Sequence, residues 1–167
     1  MTDDEIYRGN ALFSPCRTWR YSLYRRWTRW SVVPKIAIFI GLNPSTADEK
    51  QDDATVRRCM GFARRWGYGG IIVVNLFAYR SKNPRIMMAA DDPVGPLNDE
   101  VIMRNISIAN VVVACWGTRG GFRQRDKAIY KSIPNLMCLG VTKDGFPCHP
   151  LFLPYDMELV KYTRGVL

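Results

Sequence analysis

Four short, mainly apolar runs punctuate this chain: residues 36–40 (IAIFI), 71–76 (IIVVNL, broken only by Asn75), 111–116 (VVVACW) and 136–140 (LMCLG). Apolar runs of that length, bounded by Gly, Pro or polar clusters, read as strands buried on both faces. Between the first two, Val56, Cys59, Met60, Ala63 and Trp66 recur at helical spacing, with Asp53 placed to cap the segment and Gly67 to stop it. A second helical pattern, Val101, Ile102, Ile106 and Ala109, falls in residues 97–109, with Asn98 or Asp99 near its start. A basic helix follows around residues 123–132. Strand, helix and strand at these spacings predict parallel crossover units. The expected fold is therefore α/β: a single-domain three-layer sandwich, residues 1–167, around a central, mainly parallel four-stranded sheet with its core at about residues 35–155.

The stretch 16–30, CRTWRYSLYRRWTRW, has a different pattern. Trp19, Tyr21 and Leu23 nearly alternate with Arg20, Ser22 and Tyr24, which predicts an antiparallel N-terminal edge strand with one packed face and one basic face. Arginines interleaved with Trp27 and Trp30 suit phosphate neutralisation and base stacking, which makes Arg17, Arg20, Arg25, Arg26 and Arg29 candidate nucleic-acid contacts. Aromatic residues on a strand equally suit a core.

Ligands of open α/β sheets collect beyond the carboxyl ends of the strands, so the loops there carry the candidate chemistry. The first strand runs into Gly41, Leu42, Asn43, Pro44, Ser45, Thr46 and Asp48, which form either a plain turn with a helix cap or a binding loop. The helix capped by Asp53 starts beside that loop and could meet an anion with its free N–H groups, although Asp52 and Asp53 oppose this. Asn75 ends the second strand, where a buried amide must either brace the first loop or touch a ligand. The connection after it, residues 77–96, carries Tyr79 and Arg80 and is longer than a plain link needs. Trp116 and Gly117 lead into a Gly-rich exit from the third strand, and Lys143 lies in the loop after the fourth. That last loop also holds the sole histidine, His149, as either a capping residue or part of a site at the same sheet edge as Asn43.

Composition narrows these options. The 167 residues carry a net charge of +9, and no acidic residue falls between Ile6 and Ala47, where Arg8, Arg17, Arg20, Arg25, Arg26, Arg29 and Lys35 occur. Such one-sided charge points to a polyanionic partner such as nucleic acid. Five scattered cysteines without a Cys-x-x-Cys pair predict reduced thiols, neither a disulfide framework nor a zinc site. One histidine likewise excludes a multi-histidine metal centre, and no cofactor motif is present. No stretch is long enough to span a membrane, and an acidic N-terminus does not resemble a signal peptide, so a cytoplasmic protein is expected.

The strings AxFSPCxxWRYxLxRxW, IGLNPSTADxxxDDATVRRC, FARRWGYGG, NLFAYRSKNP, DDPVGPLND, CWGTRGG and LGVTKDGFPCHPLFL resemble the bacterial and phage family named domain of unknown function 1643. A fainter resemblance is to the uracil-DNA glycosylase superfamily. Its mismatch-specific thymine/uracil members carry Gly-x-Asn-Pro after the first core strand and His-Pro after the last, matched here by Gly41-Leu42-Asn43-Pro44 and His149-Pro150 in the same order. Where those enzymes follow His-Pro with Ser-Pro, this chain has Leu151-Phe152. The resemblance implies a DNA N-glycosylase, a hydrolase in which Asn43 holds the attacking water and His149 approaches the departing base. Asp48, Asp52 and Asp53 leave a second option open, a magnesium-assisted nucleotide or phosphate chemistry, and a non-catalytic nucleic-acid-binding protein is the third.

Overall fold

A computed structural model describes residues 8–29 and 31–164. Trp30, one of the aromatics interleaved with arginine, and the acidic N-terminal residues 1–7 lie outside the described residues. Among the described residues seven strands form one mixed sheet: β1 (Arg8–Phe13), β2 (Arg20–Arg26), β3 (Ile36–Gly41), β4 (Gly70–Asn75), β5 (Val111–Ala114), β6 (Leu136–Cys138) and β7 (Val160–Lys161), in the order β1-β2-β4-β3-β5-β6-β7. The β4–β3, β3–β5 and β5–β6 ladders are parallel, while β1–β2, β2–β4 and β6–β7 are antiparallel.

The apolar runs are continuous because both faces of the sheet are covered. Ile36, Ile38 and Ile40 pack on one side with Met87 of α2 (Pro84–Ala89), Ile102 of α3 (Asn98–Ile106) and Ile129 of α4 (Arg125–Ser132). Ala37 and Phe39 point the other way, onto Val56, Cys59, Phe62 and Ala63 of α1 (Ala54–Arg65). Period-2 alternation thus operates within an all-apolar string, separating two cores rather than a core from solvent.

The sequence expectation needs correction at the N-terminal strand. β2 is not an edge: β1 pairs along its outer side, Arg8 opposite Arg26 through Phe13 opposite Arg20, and β4 flanks its inner side. β1 has a single short apolar stretch, Ala11 to Phe13, and β7 is two exposed residues, so neither carries a periodic signal. α2 lies inside the segment expected to be loop. Asn83 caps it by accepting from the Arg85 N–H at 3.0 Å, and Pro84 occupies its first turn.

Strand order fixes where a ligand can sit. From β3 the chain moves to β4 on one side, then crosses back over β3 to β5, so the connections after β3 and β5 leave toward opposite faces. That divergence opens a crevice at the carboxyl ends of β3 and β5.

Candidate functional site

A cavity of about 380 Å³ occupies this crevice, inside the range of small-molecule sites of about 300–1,000 Å³. Gly41, Leu42, Asn43 and Ser45 from the β3 exit line it, with Asp53 and Thr55 from the start of α1, Asn75 from the end of β4, Trp116 and Gly117 after β5, and His149. Residues from the β3 exit and from the last loop, more than a hundred positions apart in sequence, therefore share one wall.

Backbone hydrogen bonds make that convergence. Gly117, at φ 70°, donates its N–H to Pro147 O at 3.0 Å, and Cys148 N donates to Gly140 O at 2.9 Å, which pins the His149 loop beside the β5 exit. Arg58 of α1 donates from Nε to Pro150 O at 3.3 Å. At the sheet rim Gly41 pairs with Asn75, and a Cβ at position 41 would lie 2.7 Å from Asn75 Oδ1. The rim needs glycine there because the Asn75 amide occupies the space.

Asn43 has two functions in this geometry. Its Nδ2 donates to Ser81 O at 2.8 Å, Pro44 O at 3.1 Å and Tyr79 O at 3.4 Å, tying the β3 exit to the segment after β4. Its Oδ1 takes part in none of these bonds, so the acceptor is available on a cavity-lining residue. His149 accepts from the Leu151 N–H on Nδ1 at 3.2 Å as the cap of the turn Pro150–Phe152. A neutral imidazole with Nδ1 accepting carries its proton on Nε2 and can donate from there. Partial burial lowers the His149 pKa below its ordinary 6.5, against an opposing pull from Asp53, which favours that neutral form.

Three buried side-chain donors on the lining have no partner: Arg20 Nε, Asn75 Nδ2 and Trp116 Nε1. Buried polar groups are nearly always satisfied, so donors left without a protein partner beside a cavity suit an occupant, water or ligand, that supplies acceptors. The arrangement can orient a water or a ligand donor at Asn43 Oδ1 and donate to a ligand oxygen from His149, with the Asn75 and Trp116 side chains packed beneath the lining.

The other sequence candidates are placed elsewhere. Asp48 turns back on its own loop, accepting from Lys50 N and Gln51 N at 2.8 Å each, bonds that lower its pKa. Asp53 caps α1 by accepting from Val56 N at 2.9 Å, and Asp52 pairs with Arg25 at 2.7 Å. The three carboxylates thus have separate structural roles, and no group of three ligating side chains suited to a metal occurs among the described residues. Pro44, Thr46, Tyr79 and Arg80 support the loop from behind: Arg80 donates to Ser45 O at 3.1 Å and Thr46 O at 3.3 Å, and Tyr79 and Pro44 offer the carbonyls held by Asn43. Lys143 sits exposed in the turn between Val141 and Pro147, outside the lining.

The basic strand does not present the face its pattern suggested. Arg25 is fully buried, donating to Asp52 and to the carbonyls of Tyr24 and Gln51, and Arg26 is buried against Thr28 O and Val32 O. Arg17 is exposed but paired with Glu49 at 2.7 Å, and Arg29 is exposed. Arg20 alone turns into the cavity. Sequence reasoning did not single out Thr55, Cys59, Ser81, Lys82, Cys115 or Arg119, all on the lining. Lys82 and Arg119 fall in the two loops whose length and glycine content drew notice, whereas Cys59 and Cys115 read only as core. All five cysteines are free thiols, and burial together with the neighbouring Cys115 raises Cys59 well above the usual thiol range.

The chain belongs to the protein family of unknown function DUF1643, whose sequence profile matches residues 20–151. That span runs from the first residue of β2 past His149 and so contains every lining residue of the cavity. No curated protein and no solved structure matches the chain.

Proposed function

We propose that this protein recognises a nucleobase of DNA in the crevice between β3 and β5, on a uracil-DNA-glycosylase-like architecture, and hydrolyses the base–sugar bond there. The observation that carries this reading is the convergence of Asn43, with its unpaired Oδ1, and His149 on one cavity. Base edges rich in carbonyl oxygens and ring nitrogens supply matching acceptors, and the cavity volume suits one extruded base rather than a duplex.

Cleavage of an N-glycosidic bond leaves negative charge on the departing base and cationic character on the sugar. Donation from His149 Nε2–H to a base oxygen stabilises the first, and Asn43 Oδ1 accepts one hydrogen bond from the water that attacks the sugar carbon. Asn43 takes no proton at neutral pH. Asp53, the one carboxylate among the described lining residues, is the group to receive it.

The test is incubation of the full chain with single- and double-stranded oligonucleotides carrying uracil, mismatched thymine or modified bases, followed by alkaline strand scission. Abasic product is expected for at least one base, reduced about a hundredfold by His149→Ala, the usual effect of removing one charge-stabilising donor. Absence of abasic product across the panel, with no free base or nucleoside bound, overturns the proposal.

A further inference from the structure

Arg20 stands out from the other arginines of β2. It is 2% exposed, its Nη1 donates to Ala47 O at 2.8 Å, and its Nε is buried without a partner. Among the described residues no carboxylate lies within ion-pair distance, although Asp53 acts on it from farther away. Burial lowers its pKa to about 10, so it remains a cation at neutral pH. A cation held under a cavity floor with an unused donor is incomplete without an anion.

The neighbouring elements point the same way. α1, twelve residues long, begins on the cavity wall. Asp53 takes the Val56 N–H with its side chain and the Arg57 N–H with its carbonyl, which leaves the Ala54 and Thr55 N–H groups with no carbonyl behind them. Lys82 and Arg119 line the rim, both exposed. Three cations thus face one carboxylate, Asp53, across the lining.

We propose that this end of the cavity is a phosphate site, so that the ligand is a nucleotide whose phosphate oxygens meet Arg20 and the start of α1 while its base meets Asn43 and His149. The identity of the base end rests on the function proposed above; the phosphate end rests on Arg20. Donors converge from the floor, from the helix start and from the rim, a distribution that suits a tetrahedral oxyanion better than a planar carboxylate. A free nucleotide and a nucleotide within a strand share this chemistry.

The experiment is calorimetric titration of the full chain with deoxyuridine, thymidine, deoxycytidine, deoxyadenosine and deoxyguanosine, their 5′-monophosphates, the corresponding central-base trinucleotides, and inorganic phosphate. In parallel, the Arg20 Nε–H resonance is followed in 15N-labelled protein. At least one nucleotide is expected to bind tenfold or more tighter than its nucleoside, with a shift of the Arg20 resonance. Arg20→Gln should shrink that ratio below twofold. Should Arg20→Gln fail to fold, the exposed pair Lys82→Gln and Arg119→Gln is expected to reduce the ratio about threefold. Equal affinity for nucleosides and nucleotides, or an Arg20 resonance that no phosphate compound moves, overturns the phosphate site while leaving base recognition standing. Phosphate that moves Arg20 with no discrimination among bases has the opposite consequence. Monophosphate against trinucleotide affinity decides between the two sources.

Discussion

His149 and Asn43 each hold a structural bond and leave one atom for a ligand, so substitutions at the two positions separate differently. Burial depresses the His149 pKa, which means that the unfolded chain takes up this proton first as pH falls. Its contribution to stability is therefore complete above about 6.5 and declines as pH drops through that value toward the folded-state pKa. Urea denaturation of wild type and His149→Gln between about pH 8 and pH 5 should show the wild type losing stability relative to the variant on the acid side; parallel curves would contradict the assignment. Asn43→Ala removes the acceptor and also unties Ser81 O, with an expected loss of about 1–3 kcal/mol for the orphaned carbonyl. Asn43→Asp keeps an oxygen at the cavity but sets a carboxylate against the carbonyls of Pro44, Tyr79 and Ser81. It should be the less stable of the two by thermal melting, and a neutral or stabilising effect would show that the Nδ2 bonds are not what holds this turn.

At the scale of elements, the four core strands and α1 were legible because burial on both faces leaves a chemical trace in every residue of a strand. Asp53 as the cap of α1 was legible for the same local reason. What the pattern could not reveal is which element covers which. In β2 the arginines alternate with aromatics as they would on a solvated edge, yet β1 and the segment 47–52 close over them. Nothing in the composition of RGNALF announces a strand. Arg25 illustrates the consequence: a residue that reads as a phosphate contact is an internal tie holding the loop of residues 48–52 to the sheet. Arg25→Gln should cost roughly 3 kcal/mol in chemical denaturation, since it removes a buried ion pair with Asp52 and the donors to the Tyr24 and Gln51 carbonyls. A loss below about 0.5 kcal/mol would return Arg25 to the surface role its sequence context suggested.

At the scale of the molecule, the question is which of the charges behind the +9 balance can meet a polyanion. Counterion release depends only on cations that approach phosphates, so the slope of log affinity against log salt counts them. Arg25 and Arg26 are buried, and Arg20 is reachable only through the cavity. Lys82 and Arg119, by contrast, are exposed at the mouth where a strand delivering its base would pass. For a single-stranded oligonucleotide each phosphate neutralised contributes about 0.7 to the slope. Lys82→Gln and Arg119→Gln should each lower the slope by about that amount, whereas Arg25→Gln should lower the melting temperature and leave the slope of the folded fraction unchanged. Fluorescence anisotropy with a labelled oligonucleotide, from about 50 to 200 mM salt, measures all three. If Arg25→Gln changes the slope as much as the two rim substitutions do, strand binding runs along β2 and the cavity mouth is not the point of entry.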